Sequence, residues 1–305
     1  RDFDELGAGI EEMRSLTRAA GANAADVQDE DGAGSGASRG PIGVNIILHE
    51  GHNPQWRGQF ETALKHKADV IIFSLGVKRD VVREAQAAGA KVFFDVTTLR
   101  HARVAAKSGV DAIIAVCQGA GGHAGTVTPF SLIPEIKADP IIDVPVLAAG
   151  AISNGGQMAA ALCLGADGVY VGTRLIATPE ARAAAEYKQM ILASQASDIV
   201  YSPEISGIPA NWLGPSYGRW KKSRDASGRG SEAMSLAGEG SGPSAKTDSA
   251  ALDETGELTE ELKRWRDIWS AGQGVAQIQA IEPAGDLVRN MARDCQAVLR
   301  KLTSG

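Results

Sequence analysis

The chain has 305 residues, of which 44% are hydrophobic and 22% charged, and this suffices for one substantial core with an added lid or tail. A formal net charge of −6 gives no electrostatic reason to expect a nucleic acid or an anionic membrane as partner. Three scattered cysteines without a CxxC pair, and no apolar run long enough to span a bilayer, predict a cytoplasmic protein without disulfides or a bound metal.

The first 40 residues predict an N-terminal helix followed by a flexible loop. Residues 3–18 have a helical pattern, whereas residues 20–40 are small, polar and glycine-rich, with little apolar surface to bury. Residues 1–40 are therefore assigned to a first region that precedes the first strand.

Six short apolar runs alternate with helical patterns between residues 41 and 193. The runs are nearly continuous in apolar residues, as expected for strands covered on both faces, and lie at 41–48, 69–75, 91–96, 111–116, 144–150 and 168–173. The helical patterns between them lie at 55–66, 79–88, 99–108 and 154–164. Strand–helix–strand repeats of this length predict a parallel sheet with right-handed crossovers.

The number of predicted strands is two short of the eight in a closed (β/α)8 barrel. An open sheet of six strands would leave long apolar edges unpaired. We therefore predict an α/β fold of the TIM (β/α)8-barrel type that lacks its first two strands in this chain. Residues 41–205 form its barrel portion, and residues 206–305 form a lid or linker with C-terminal helices that pack on the barrel.

The C-terminal region combines a basic run, a second flexible insertion and two helical patterns. The basic run at residues 219–224 is interpreted as a solvated loop. Residues 224–255 are rich in Gly and Ser and predict a linker or mobile lid. Amphipathic helices are predicted at residues 258–269 and 284–302.

Polar residues at the ends of the first three strands are candidates for a site, because active sites of such barrels lie at the carboxyl ends of the strands. Asn45 is a candidate for a ligand contact, with a turn-capping role of comparable weight. Ser74 is a candidate for lining the substrate side of a pocket. Asp95, with the threonines that follow it, is assigned to turn formation or helix capping.

A glycine-rich loop with one histidine follows the fourth apolar run, reading Cys117-Gln118-Gly119-Ala120-Gly121-Gly122-His123-Ala124-Gly125. An imidazole titrates near neutrality and can accept or donate a proton. A lone histidine is more often structural, but a glycine loop at a barrel mouth makes this one a candidate catalytic residue. The cysteine is interpreted as a small buried apolar side chain.

Two consecutive strand ends within residues 144–180 carry small residues. The first ends in Ala148-Ala149-Gly150 and opens a helix near Asn154, and the second ends in Gly172-Thr173 and opens another helix. Small residues and helix N-termini let backbone N–H groups approach an anion. In one such turn the glycines would be explained by a tight strand-to-helix connection alone. Two consecutive turns at this spacing predict a phosphate site.

These motifs resemble those of the nitronate monooxygenase (2-nitropropane dioxygenase-like) family of FMN-dependent (β/α)8 barrels. Residues 144–180 are similar to the pattern AAGGI-x-DG…GA-x-GV-x-x-GT-x-F, the histidine loop to QG-x-EAGGH-x-G, and residues 43–45 to the end of P-F-G-V-N. Residues 206–211 resemble S-G-x-P-A-R, and residues 269–274 resemble W-S-A-G-Q-G. The chain departs from these patterns at Ala151, which replaces a second glycine, and in a shorter histidine loop without its acidic residue.

The resemblance implies FMN as cofactor and the oxidation of alkyl nitronates, or of nitroalkanes, by O2 to carbonyl compounds and nitrite. It makes His123 the catalytic base or the hydrogen-bond partner of the nitro group. The FMN contacts that it implies are Asn45, Gln118, Gly121, Gly122, Gly150, Ala151, Tyr170, Val171, Gly172 and Thr173.

Three other functions stay open. An NAD(P)H-dependent FMN reductase of quinones or enoyl thioesters would use the same barrel. An IMP dehydrogenase-like barrel would share the phosphate loops, but its catalytic cysteine loop is absent from the sequence. A truncated barrel that no longer holds FMN would not be an enzyme. The expected partner is a small molecule, with no nucleic acid or membrane, and a homodimer is left open.

Overall fold

The computed structural model describes residues 3–24, 40–226 and 268–303. The chain divides between two compact units, unit 1 with residues 1–95 and 103–113, and unit 2 with residues 96–102 and 114–305. The predicted Gly/Ser-rich linker and the helix predicted at 258–269 lie almost wholly outside the described residues. The domain boundaries after residues 40 and 205 stay a prediction.

Unit 1 is built on parallel strands that alternate with helices. The strands pair in chain order and are β1 (Gly43–Ile47), β2 (Val70–Ser74), β3 (Lys91–Val96) and the beginning of β4 (Ala112–Val116). The helices are α1 (Phe3–Ala24), α2 (Trp56–Lys65), α3 (Arg79–Ala87) and most of α4 (Leu99–Ser108). The core contains strand residues such as Ile71 and Phe73 and the helix residue Phe60, whose ring centroid lies 5.9 Å from that of Phe73.

Unit 2 contains the end of β4 and two sheets. In the parallel sheet β4 is followed by β6 (Val146–Ala149) and β7 (Gly168–Tyr170), and a small antiparallel sheet has the order β5 (Gly122–His123), β9 (Ala210–Leu213), β8 (Ile199–Ser202). Its helices are α5 (Pro129–Lys137), α6 (Gly155–Cys163), α7 (Thr173–Ile176), α8 (Ala185–Ala193), α9 (Gly214–Ala226) and α10 (Ala284–Thr303). Two 3-10 turns lie at Ala196–Asp198 and Gln273–Gln277.

The alternating strands and helices confirm the predicted α/β class, with six parallel strands in the described residues. Most helix and strand bounds lie within two residues of the prediction. The flexible loop predicted at residues 20–40 is wrong for residues 20–24, which belong to α1, and residues 25–39 lie outside the described residues. The loop predicted at residues 219–224 is wrong, because these residues lie in α9. The cations there pack on aromatic rings: Arg219 lies 5.5 Å from the ring centroid of Trp269, and Arg224 lies 4.8 Å from that of Trp220.

An aspartate at the start of a strand repeatedly accepts a hydrogen bond from the neighbouring strand. In unit 1, Asp69 accepts from the Ile42 amide at 2.9 Å and Asp111 from the Val92 amide at 2.9 Å. In unit 2, Asp167 accepts from the Val146 amide at 2.8 Å. Because each carboxylate binds one particular amide, the repeat fixes the register of the parallel strands at their amino ends.

Replacing Asp111 with asparagine should lower the free energy of unfolding by about 2 kcal/mol at neutral pH, the order expected for charge-assisted hydrogen bonds. Burial raises the pKa of Asp111, but hydrogen bonds from Gln86, Lys91 and the Val92 amide outweigh it and hold the pKa below its ordinary value. A lowered folded pKa stabilises the fold above the unfolded pKa, and this contribution is lost as the pH falls through the folded value. Urea unfolding of Asp111→Asn should therefore show a shallower acid dependence, whereas Asp143→Asn, at an exposed position, should match the wild type. Equal acid slopes for all three proteins would contradict the assignment.

Candidate functional site

In unit 1, polar side chains from β1, β2 and β3 form a hydrogen-bonded row. The Asn45 amide Nδ2 donates to Ser74 Oγ at 3.0 Å, and Ser74 Oγ donates to Asp95 Oδ2 at 2.6 Å. Asn45 lies in the middle of β1 and pairs with Ile72, two residues before Ser74, and the side-chain hydrogen bond brings the two predicted residues Asn45 and Ser74 together. The turn-or-capping role assigned to Asp95 is wrong, because its carboxyl group binds a side chain on the neighbouring strand.

The carboxyl group of Asp95 lies in an environment of low polarity. Burial raises the pKa of Asp95 to about 6, although the hydrogen bonds from Ser74 and Asn45 act in the opposite direction. Its second oxygen, Oδ1, is inaccessible to solvent and has no hydrogen-bond partner among the residues that the structure describes. Sequence reasoning missed this group, since its partners lie 21 and more residues away along the chain.

In unit 2, the histidine loop leaves β4 and ends in the two-residue strand β5. Gly119 and Gly122 have φ angles of 89° and 73°, in the left-handed region that favours glycine. Strand β5 pairs with β9, with Gly122 opposite Asn211 and His123 opposite Ala210, and the Asn211 side chain donates to the Ala120 carbonyl at 2.6 Å. The pairing holds the backbone of His123 on a strand rather than on a free loop.

The imidazole of His123 has a defined partner. Its Nε2 lies 3.2 Å from Ser206 Oγ, and Ser206 Oγ donates its own proton to the Ile208 carbonyl at 2.9 Å. The contact with Ser206 therefore holds the imidazole ring at its Nε2 edge. Ser206 was not predicted as a site residue, although its S-G-x-P-A motif was the available signal.

The predicted phosphate-site residues of unit 2 come together at the ends of two paired strands. Strands β6 and β7 pair with Ala149 opposite Tyr170, so Gly150 and Ala151 follow one strand beside the residues 171–173 that follow the other. A Cβ on Gly150 would lie 3.1 Å from the carbonyl oxygens of Cys117 and Gln118, which also places the histidine loop at this edge. A Cβ on Gly172 would meet nothing within 4 Å, so the backbone is open to a ligand there.

A third loop, residues 269–274, packs against both of the others. The backbone N–H of Gln273 donates to the Gly119 carbonyl at 2.9 Å, and a Cβ on Gly272 would lie only 2.5 Å from that same oxygen. The Gly272 amide donates to Thr173 Oγ1 at 2.9 Å. The side chain of Gln273 is exposed beside Gly119, so its amide is a further candidate for a ligand contact that was not among the predicted site residues.

The loops of unit 2 fit an FMN phosphate and ribityl chain, because the space at Gly172 is open and the next residue, Thr173, is held by the Gly272 amide. Arg174, the nearest cation along the chain, is buried and bound to Glu282 and the Ala280 carbonyl. A phosphate would therefore be held by main-chain N–H groups and hydroxyls rather than by this guanidinium. Among the described residues, no group of three His, Cys, Asp or Glu side chains could hold a metal.

Replacing Ala151 with glycine should raise the free energy of unfolding by about 0.5–1 kcal/mol. Ala151 has a φ of 56°, and an L-residue with a Cβ is strained there by about 1–2 kcal/mol, part of which is offset by the larger unfolded-state entropy of glycine. Thermal unfolding of Ala151→Gly and of Ala151→Val, whose branched side chain increases the strain, should shift in opposite directions. A stabilised valine variant would contradict this interpretation.

Comparison with known proteins identifies the family to which a chain with this α/β barrel-type fold and these loops belongs. The model of the nitronate monooxygenase family matches residues 4–294. The chain belongs to this family, which confirms the resemblance seen in the motifs.

Curated relatives match about half of this chain. The candidate monooxygenase Rv1533 of Mycobacterium tuberculosis is 40% identical over 154 residues, which are 50% of this chain and 41% of that protein. A carboxyl-CoA dehydrogenase of Rhodococcus jostii is 32% identical, over 55% of this chain and 46% of that protein. A probable nitronate monooxygenase of Staphylococcus aureus is 30% identical, over 50% of this chain and 46% of that protein. The matched part of the chain thus spans less than half the length of these relatives.

Solved structures share the fold. FabK from Thermotoga maritima superposes with a TM-score of 0.73 and 26% identity, over 100% of this chain and 85% of that one. The nitroalkane oxidase from Streptomyces ansochromogenes gives a TM-score of 0.62 and 24% identity, over 88% of this chain and 84% of that one. The predicted barrel-type α/β fold is thereby confirmed. In the described ranges, no helix has the length and apolar character to cross a membrane.

Proposed function

We propose that this chain binds FMN and oxidises alkyl nitronates, or neutral nitroalkanes, to carbonyl compounds and nitrite with O2. The observation that carries the proposal is His123, held through Nε2 by Ser206 and placed in the same unit as the glycine loops at Gly150 and Gly172. Membership of the nitronate monooxygenase family supports the same reaction.

In the proposed reaction, residues of the chain would bind FMN, orient the substrate and remove its α-proton. Main-chain groups near Gly150 and Gly172 would hold the FMN phosphate, and Thr173 is fixed there by the Gly272 amide. FMN, when bound, would supply the redox chemistry between the substrate and O2. His123, whose ring is held at Nε2 by Ser206, would remove the α-proton of a neutral nitroalkane. For a substrate that is already a nitronate, the same imidazole, protonated on both ring nitrogens, would donate a hydrogen bond to the nitro group.

The first experiment is an absorbance spectrum of the purified chain at roughly 300–550 nm, the range of oxidised flavin, after desalting with and without added FMN. Two flavin bands that survive desalting, followed by nitrite release from a nitronate in air, are the expected results. Protein that stays colourless with added FMN would overturn the proposal and favour a barrel without the cofactor. Bound FMN without nitrite release would overturn the proposed substrate but not the proposed cofactor.

A second candidate is an NAD(P)H-dependent FMN reductase that acts on enoyl thioesters or quinones. The similarity to a carboxyl-CoA dehydrogenase over half of this chain favours a thioester. Anaerobic mixing of the flavin-loaded chain with NADH and with NADPH separates the two functions, since a reductase should bleach the flavin rapidly. A nitronate oxidase requires bleaching by the nitronate only.

A further inference from the structure

Side chains from two neighbouring strands of unit 2 bind carbonyl groups on either side of His123. On the N-terminal side, the Asn211 side chain donates to the Ala120 carbonyl at 2.6 Å. On the C-terminal side, the Tyr201 hydroxyl donates to the Ala124 carbonyl at 3.0 Å. The histidine is therefore flanked by two hydrogen bonds from side chains to the backbone of its own loop.

The loop that carries the histidine has a backbone that needs such restraints. Residues 117–125 include four glycines, which give the segment more conformational freedom than other residue types would. Strand β5 pairs with β9 at two positions, and so short a ladder contributes little stability by itself. A hydrogen bond to the residue that follows the histidine therefore restricts the loop where the ladder ends.

The register of the antiparallel sheet places Tyr201 and His123 on opposite faces. Tyr201 is paired with Asn211, which is paired with Gly122, whereas His123 is paired with Ala210. Side chains of directly paired residues lie on the same face of a sheet, and successive side chains of a strand lie on opposite faces. The tyrosine therefore approaches the loop from the face opposite to the imidazole, and it acts on the backbone of the loop rather than on the ring.

We propose that Tyr201 is a positioning residue for His123, whose hydroxyl holds the histidine loop in the arrangement that proton abstraction requires. The inference rests on the proposed function, because it assumes that His123 removes the α-proton of a nitroalkane. Proton transfer depends on close placement of the reacting groups, and a displacement of about 1 Å can cost about 10²-fold in rate. Tyr201 lies outside the motifs that the chain shares with its family, so the role follows from its contact and its register.

The variant Tyr201→Phe removes the hydroxyl and keeps the ring, which is 43% exposed and can stay in its place. A typical net hydrogen bond corresponds to a factor of about two to ten in an equilibrium constant. Local opening of the loop, and with it the amide exchange of residues 117–125, should increase by about this factor. Hydrogen-exchange mass spectrometry of the purified full chain measures this effect without any substrate.

The effect on the reaction is measured with the neutral form and the preformed nitronate of one nitroalkane, at equal flavin loading. Tyr201→Phe should lower kcat for the neutral form by about tenfold, a part of what a full displacement of the base would cost. The KM for the neutral form and the turnover of the nitronate should stay near the wild-type values, because only the neutral form needs a base. Equal losses for the two forms would indicate a general disturbance of the site and would overturn the positioning role.

The variant Tyr217→Phe is the matched control, because it removes a tyrosine hydroxyl that lies 3.2 Å from Ser202 Oγ, on the same strand as Tyr201. It should lower stability but keep the wild-type loop exchange and the wild-type ratio of the two rates. If Tyr201→Phe keeps the wild-type ratio as well, with or without faster loop exchange, the assignment is wrong and the proposed function stands. A wild type that releases nitrite from neither form would instead overturn the proposed function, and the role of Tyr201 with it.

Discussion

Replacing Gly155 with alanine should lower the free energy of unfolding by about 3 kcal/mol, the upper end of the usual cost of overpacking. Gly155 is the first residue of α6, and α6 packs against α10 within unit 2. A Cβ at this position would lie 2.5 Å from the Met291 carbonyl oxygen, 2.6 Å from the Asp294 Cβ and 2.6 Å from the Cys295 amide nitrogen. Two of these atoms are backbone, so no change of rotamer relieves the clash and the helices must separate.

The next residue provides a matched control for this substitution. A Cβ on Gly156 would have Asn154 Oδ1, at 3.4 Å, as its nearest neighbour, and the residue is exposed. Because alanine favours a helix over glycine by up to about 1 kcal/mol, Gly156→Ala should be neutral or stabilising. Urea unfolding of both variants measures the difference. Similar stabilities for the two would show that the contact between α6 and α10 is not the reason for glycine at position 155.

The consequence of the Gly155 clash extends to the proposed cofactor site. Asn154 caps α6 by accepting from the Gln157 amide at 2.9 Å, and the loop from Gly150 leads directly into this cap. Displacing the start of α6 would therefore move the loop that is proposed to hold the phosphate. FMN affinity of Gly155→Ala should fall at temperatures at which the protein remains folded.

The parallel strands and their helices could be predicted because their signals are local. Continuous apolar runs such as that in β3, and helical periodicity such as that in α4, are visible within ten residues of sequence. The antiparallel sheet of β5, β9 and β8 could not be found in this way. Its strands have two to four residues, and β5 pairs with a strand almost ninety residues later in the chain. Only the folded chain brings these segments together.

The same distinction applies to the site. Glycines at the ends of β6 and β7 were found because small residues at strand ends are a local pattern, and the structure places them side by side. The partner of His123 is 83 residues away, and Gln273 reaches Gly119 from the far end of the chain. Asp95 was misassigned for a related reason: its position after a strand resembles a cap, but its hydrogen bond goes to Ser74 on the neighbouring strand.

The basic run at residues 219–224 shows how charge alone misleads. The residues Arg219 to Arg224 have little apolar character, and a solvated loop was the natural interpretation. In the structure they belong to α9, where Arg219 and Arg224 pair with Glu186 and Glu204. Their guanidinium groups lie over tryptophan rings, and these cation–π contacts are packing that a count of charges does not predict.

Replacing His123 with alanine should reduce the turnover of a neutral nitroalkane by about 10²–10⁴-fold, the usual contribution of a general base. The imidazole is held through Nε2 by Ser206, and it is the group proposed to take the α-proton. A substrate supplied as its preformed nitronate needs no base, and its turnover should fall much less. Steady-state assays of nitrite release with both forms of one nitroalkane, at equal flavin loading, measure the two effects.

Two further variants separate catalysis from structure. Ser206→Ala removes the partner of Nε2 but keeps the imidazole, so it should shift the pH profile and lower kcat by a smaller factor than loss of the ring. His101→Ala removes an exposed histidine of α4 and should leave both activities unchanged. If His123→Ala turns over both substrate forms at the wild-type rate, the histidine has no catalytic role. If it loses both forms equally, the imidazole acts on the nitro group rather than on the α-proton, because only a base is dispensable for a substrate that has already lost its proton.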